Sequence, residues 1–266
     1  MPTRTLLPLH MPRLKLTVEY DGTEYAGWQV QANARSIQAV LAAAFTPLLG
    51  HSPQLYAAGR TDAGVHALGQ VVHTDVHQVR APDTWRAALN AHLPPDIRVR
   101  QVEVVGADFH ARKSARAKLY SYAFWCGRVE STRWRRYSLH VPQPLDWEAM
   151  QAAAQAFVGR HDFAPFSVAD RTVQTTVRTI YQVTWSGVPA REEACELLWP
   201  PELRAVAFYG DGFLRYQVRR MVGTLLAVGQ GKLPAAAVAK ILCGAKEFTV
   251  AATAPAHGLT LMRVDY

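Results

Sequence analysis

Cysteine is scarce in this 266-residue chain, with only Cys126, Cys195 and Cys243, far apart and without a CxxC pair. An odd, isolated set suits a reducing cytosol and argues against a structural zinc. Long hydrophobic runs are also missing. No stretch approaches the roughly 18 apolar residues that a membrane-spanning helix needs. The first ten residues lack the apolar core of a secretion signal, and strand periodicity begins only at Leu14, so Met11 is a second candidate start. Acidic residues are in deficit, 21 against 29 Lys and Arg, for a net charge of +8. Together these absences predict a soluble, cytoplasmic protein. The charge excess is uneven. Residues 112–136 hold eight basic side chains (Arg112, Lys113, Arg116, Lys118, Arg128, Arg133, Arg135, Arg136) and one acid, Glu130. Such a field fits a polyanionic partner, or else a merely solvated basic face.

What is present reads as globular. Hydrophobic residues make up 49% and charged residues 19%, which excludes long disorder. A chain of this length buries roughly three-quarters of the surface its unfolded form exposes. Residues 14–20 alternate as a strand and stop at Asp21-Gly22. A loop with two aromatics, Tyr25 and Trp28, follows. Ser36 is placed to cap a helix whose apolar residues Ile37, Val40, Leu41, Ala44, Phe45 and Leu48 form one stripe, ended by Gly50. A short helix around Trp85 and Leu89 ends at Pro94-Pro95, and a strand over 97–105 closes the first half.

The second half repeats the theme. Residues 118–125 read as a strand, and a basic loop with Trp134 and Tyr137 follows. Asp146 caps a helix carrying Trp147, Met150, Ala154, Phe157 and Val158. Residues 179–185 and 203–209 are strands. Gly210-Asp211-Gly212 turns into a helix expected from about Phe213, a further helix covers 235–242, and a last strand covers 259–264. Strand–helix–strand–strand–helix–strand in each half is the split βαβ pattern of an α+β protein. The expectation is therefore two similar ferredoxin-like domains, 1–112 and 113–266, whose antiparallel sheets flank a central cleft. Clefts between domains are where substrates usually bind.

One segment stands apart: Gly59-Arg60-Thr61-Asp62-Ala63-Gly64-Val65-His66-Ala67-Leu68. Two glycines bracket a carboxylate and a guanidinium, between a short apolar run and a strand-like run over 70–75. Glycine tolerates positive φ and close backbone approach, so the loop can hold Asp62 at a sheet edge against a ligand, or Asp62 can simply cap its own turn.

Residues 59–67 resemble the signature of tRNA pseudouridine synthases of the TruA type, and the likeness runs almost end to end. It takes in Glu19-Tyr20-Asp21-Gly22, Tyr25, Gly27-Trp28-Gln29, Asn90, Leu93-Pro94 and Asp96-Ile97. It continues through Asp108-Phe109-His110-Ala111-Arg112, Lys118-Leu119-Tyr120-Ser121-Tyr122, Asp162-Phe163, Val218-Arg219, Met221-Val222-Gly223 and Gly258-Leu259. The resemblance implies isomerisation of uridine in the anticodon stem-loop of tRNA. The bond from C1′ to N1 breaks, the uracil turns, and C1′ joins C5, without metal or organic cofactor. It makes Asp62 the nucleophile, with attack at C1′, attack at C6 and a glycal route all open. An electron-poor centre must meet one ionised, poorly hydrated carboxylate, and burial raises a carboxyl pKa, so a neighbouring cation is needed. The resemblance assigns that cation to Arg219, gives Arg60 the space left by the flipped nucleotide, and stacks Tyr120 on the uracil. It also implies a homodimer with one tRNA touching both subunits. His66 has no matching catalytic role and is expected to support the loop or touch phosphate. His92 departs from an asparagine common among relatives.

Two readings of other classes compete. His73, Asp75 and His77 alternate on the strand after the loop, a donor set for iron or zinc in a metal-dependent hydrolase. However, side chains at i, i+2 and i+4 lie along a line rather than around a point. A non-catalytic RNA-binding module explains the charge but leaves the Asp62 loop without a task.

Overall fold

The computed structural model describes residues 11–170, 173–186 and 200–266; Cys195 lies outside them. The first half runs β1 (Arg13–Tyr20), α1 (Ile37–Leu49), β2 (Tyr56–Ala57), β3 (His66–Asp75), α2 (Pro82–His92) and β4 (Ile97–Val105). The second half begins with β5 (Ala117–Trp125), β6 (Leu139–His140), α3 (Trp147–Gln155), β7 (Gly159–Asp162) and β8 (Val177–Ser186). It ends with β9 (Leu203–Gly210), α4 (Gln217–Gly229), α5 (Ala237–Leu242) and β10 (Leu259–Asp265).

Local chemistry accounts for most of these elements. Leu14, Leu16, Val18 and Tyr20 alternate into the core from β1. Ser36 caps α1 by accepting from Ala39 N–H at 3.3 Å, and Gly50 ends it at φ 81°. Asp146 caps α3 by accepting from Ala149 N–H at 2.9 Å. The stripe of α1 meets α2 through Phe45 and Trp85, whose ring centroids are 5.9 Å apart.

The α+β class holds, but the two halves do not carry separate sheets. Their strands form one sheet in the order β4-β1-β3-β10-β5-β9-β8-β7, with β2 on β3 and β6 on β5. The last strand makes the join. It runs antiparallel to β5 and parallel to β3, pairing Thr260 with His66 and Leu261 with Ala67. Strand β3 shares one edge between two partners, β10 at residues 66–67 and β2 at 72–73. The reason is general: an open strand edge leaves N–H and C=O groups unpaired, and β10 satisfies two such edges at once. Within each half the strand order is nevertheless the same, β4-β1-β3-β2 and β10-β5-β9-β8.

Helix α4 begins at Gln217, later than the apolar pattern indicates. Tyr216 takes a left-handed conformation (φ 63°), and Gln217 Oε1 accepts from Leu214 N–H at 2.8 Å. Two guanidiniums approach the ring of Tyr216, Arg215 at 5.1 Å and Arg219 at 5.0 Å, which offsets part of a backbone cost of roughly 1–2 kcal/mol. Similarly, α3 stops at Gln155, so Phe157 is buried from the following turn while Val158 is exposed. Among the described residues no helix is long and apolar enough to cross a membrane.

Position along α4 is fixed by Gly223. A Cβ there would stand 1.9 Å from Ala252 O, so the helix lies directly on residues 252–254. Gly223→Ala must push two backbones apart and is expected to destabilise the fold by about 1–3 kcal/mol. A urea midpoint that falls with an unchanged m-value checks this; an unchanged midpoint contradicts the close packing.

Candidate active site

Residues 58–65 connect β2 to β3 and carry Asp62 to the seam where β10 joins the two halves. The loop is held from beneath by the Tyr25–Trp28 segment. Trp28 N–H donates to Thr61 O at 3.0 Å, and Gly64 N–H donates to Tyr25 O at 3.3 Å. Gly27 has φ 98°, and a Cβ there would meet Thr61 O at 2.7 Å, so only glycine permits this approach. Of the two glycines in the loop itself, Gly64 has positive φ (76°) and Gly59 does not. Buried polar groups complete the support. Tyr20 and Thr61 hydroxyls lie 2.7 Å apart, and Gln70 Nε2 donates to Gly59 O at 2.8 Å. Lys118 Nζ donates to Ala58 O at 2.8 Å. Burial brings the pKa of Lys118 down to about 8, helped by the charges of Arg112 and Arg178.

Asp62 Oδ2 is 3.3 Å from Arg219 Nη1, and both side chains are mostly buried, with 23% and 15% of their surface exposed. Arg219 reaches from α4. Its Nε donates to Ala254 O at 2.8 Å, which fixes the guanidinium before it meets the carboxylate. Burial pushes the Asp62 carboxyl above its ordinary range, and Arg219 and then Arg215 pull it back only in part. Tyr120, from β5, is 7% exposed and packs edge-on against Phe213 at 5.2 Å. Its hydroxyl pKa is raised by burial first, then by Tyr20 and the Asp62 carboxylate. Tyr122 is wholly buried, and its hydroxyl donates to Pro255 O at 2.9 Å. Arg60 is exposed and forms no ion pair with a described residue.

Of the residues marked in the sequence, then, Asp62 and Arg219 meet directly, and Asp62 acts electrostatically on Tyr120. Arg60 shares the loop without touching the pair. Thr61, Gln70, Tyr20 and Lys118 complete the support; the sequence marks Thr61, Tyr20 and Lys118 only as members of matched motifs, and their contacts escape it because each acts across at least ten residues of chain. An orphan polar residue in an apolar strand, such as Gln70 or Lys118, is the signal that could find them. The hydrolase set comes apart. β3 ends at Asp75, so His77 lies beyond it; His73 Nδ1 accepts from Ala111 N–H at 3.1 Å, and Asp75 pairs with Arg13 at 2.7 Å. Among the described residues no three His, Cys, Asp or Glu are grouped to hold an ion.

The sheet is mixed, and at its central seam one carboxylate meets one guanidinium from the other half of the chain. The family model described as tRNA pseudouridine synthase matches residues 16–112 and 153–266, which include Arg60, Asp62 and Arg219. The chain belongs to the tRNA pseudouridine synthase family and is an isomerase. It is 43% identical over 257 residues to tRNA pseudouridine synthase A of Shouchella clausii, covering 96% of this chain and 94% of that one. It is 42% identical over 261 residues to the protein of the same name from Solidesulfovibrio magneticus, covering 96% and 92%. With that of Streptococcus thermophilus it shares 40% over 257 residues, covering 96% and 100%.

The raised carboxyl has a consequence for stability. The folded protein holds the Asp62 proton more firmly than the unfolded chain, so ionisation of Asp62 opposes folding. The opposition starts at the ordinary carboxylate range, grows as pH rises through the raised value, and is complete above it. Asp62→Asn cannot ionise and keeps an acceptor for Arg219. Its stability relative to the parent is expected to improve as pH rises from about 4 to about 8. Urea midpoints across that range test this, and a pH-independent difference contradicts it.

Proposed function

We propose that this chain converts uridine to pseudouridine in the anticodon stem-loop of tRNA, with Asp62 as nucleophile. The observation that carries the reading is the Asp62–Arg219 pair at 3.3 Å, partly desolvated, at the seam of the sheet. A carboxylate with few waters and one fixed cation is ready to attack an electron-poor sugar or base carbon. Arg219 offsets part of the burial that disfavours the carboxylate's ionised form. Tyr120 stacks on the extruded uracil, worth about 1–3 kcal/mol against the few kcal/mol that extrusion requires. Arg60, exposed on the same loop, fills the gap the nucleotide leaves. Breaking C1′–N1 and forming C1′–C5 conserves all atoms; the proton lost from C5 is matched by one gained at N1, and no cofactor enters.

The division of labour follows the two halves, 1–112 supplying the carboxylate and 113–266 the guanidinium and the stacking ring. Exposed Arg128, Arg133, Arg135 and Arg136 bind tRNA phosphates, with shape rather than base sequence guiding the contact. The elbow-shaped substrate exceeds one cleft, which supports a homodimer with each tRNA touching both subunits. The place of action is the cytoplasm, where tRNA is processed.

Asp62→Asn is expected to leave tRNA affinity largely intact and to reduce pseudouridine formation by more than about a thousandfold. Incubation with unmodified tRNA followed by nucleotide mapping measures both the loss and the uridines modified; normal turnover refutes the assignment. Tyr120→Leu should slow single-turnover isomerisation by about tenfold or more, with a smaller change in affinity. Equal losses for Tyr120→Leu and Tyr122→Leu, each scaled to folded protein, would return Tyr120 to the core.

A further inference from the structure

His66 closes the Asp62 loop but has no part in the chemistry proposed above. Its ring is nonetheless fully engaged. Gly22 N–H donates to Nδ1 at 3.0 Å, while Nε2 lies 2.8 Å from Arg136 O and 3.2 Å from His257 O. Gly22 as donor settles the tautomer: Nδ1 carries the lone pair, and Nε2 carries the proton shared by two carbonyls. Burial holds the imidazole below its ordinary pKa, against the pull of Asp21, whose Oδ1 is 3.2 Å from Nδ1.

The three segments that meet on this ring have different tasks. Arg136 is at the end of the basic loop, and the loop has a second tether beside the first. Tyr137 hydroxyl donates to Asp21 Oδ2 at 2.9 Å, with the Tyr137 ring 5.0 Å from the imidazole. Arg136 Nη1 is 3.8 Å from the same carboxylate. His257 belongs to the turn over residues 254–258. That turn accepts Arg219 Nε at Ala254 O and the Tyr122 hydroxyl at Pro255 O, and a Cβ added at Gly64 would stand 3.2 Å from Ala256 Cβ. His66 itself opens β3, four residues after Asp62.

We propose that His66 is a positioning residue whose Nε2–H fastens the end of the basic loop and the 254–258 turn to the base of the Asp62 loop. One neutral ring then sets both the placement of the phosphate-binding arginines and the approach of Arg219 to the carboxylate. This rests on the function proposed above for the same site. The Asp21 tether alone cannot do it, because Asp21 does not reach the 254–258 turn.

The test uses two substitutions that keep different halves of the ring. His66→Gln retains an N–H near Nε2, and His66→Asn places its amide near Nδ1 with nothing near Nε2. Single-turnover pseudouridine formation, tRNA affinity as a function of salt, and melting temperature are measured on an unmodified tRNA transcript. His66→Asn is expected to slow isomerisation by about tenfold to about a hundredfold through misplacement of the pair. It is also expected to flatten the salt dependence, by about 0.7–0.9 of slope for each phosphate no longer engaged. His66→Gln should recover most of both. Should His66→Asn fail to fold, Tyr137→Phe, which cuts the loop's other tether, is expected to flatten the slope in the same direction. The proposal is overturned if the two His66 variants lose rate equally with an unchanged salt slope, or if both behave as the parent. An inactive parent would instead overturn the proposed function, and the salt slope alone would then decide the role of His66.

Discussion

The meeting of Asp62 with Arg219 is the constraint around which this molecule is arranged. The two residues are 157 apart in sequence and come from opposite halves. Their contact exists only because β10, the last strand, runs back between β3 and β5 and knits the halves into one sheet. Burial wins over attraction at this pair, since the carboxyl stays above its usual range despite two arginines. A fully solvated pair would show the reverse. The site thus holds its charge poorly hydrated, and the folded chain bears the cost.

Holding such a charge in place requires a rigid loop, and the rigidity comes from below rather than from the loop's own turn. Glycine freedom within it is used once, at Gly64. The larger share falls to Gly27, which lets the Tyr25–Trp28 segment press against Thr61, and to hydroxyl and amide groups from Tyr20 and Gln70. Gln70 Oε1 is buried without a partner among the described residues, so the network is not fully satisfied. Buried polar networks of this kind fix geometry at some expense of stability.

Much of the fold is legible in the chain. Single-face stripes with capping residues mark α1 and α3, and alternation marks β1, β5 and β9, because both signals are local. The union of the sheets is not legible. Pairing of β10 with β3 rests on two residue pairs about 194 positions apart, with nothing local to announce it. The late start of α4 escapes for a different reason: Leu214 continues the apolar stripe, but Tyr216 breaks the helix through its contacts with Arg215 and Arg219. In the site, Asp62, Arg219, Tyr120 and Arg60 come from likeness to a family, and on residue type alone Arg219 is one of three arginines on the same stretch. The structure sets it apart by its contact with Asp62, since Arg220 likewise donates to a main-chain carbonyl, that of Ser167.

A similar distinction separates the cations around the site from those of the basic loop. Arg219 and Lys118 commit their donors to main-chain carbonyls at 2.8 Å, and Lys118 has its pKa drawn down to about 8 by burial. A cation already desolvated and hydrogen-bonded releases few counterions when a polyanion arrives, so it contributes little to salt-dependent affinity. Arg60, Arg128, Arg133 and Arg135 are exposed, and Arg136 commits only a 3.8 Å approach to Asp21. In the proposed function the two groups therefore divide the work by solvation. Hydrated arginines at the rim draw in and orient the phosphate backbone, whereas the desolvated pair behind them shapes one carboxylate for the carbon it attacks. Moving a cation from one group to the other would weaken both, because a rim residue is useful only while it can exchange water for phosphate, and an inner one only while it cannot.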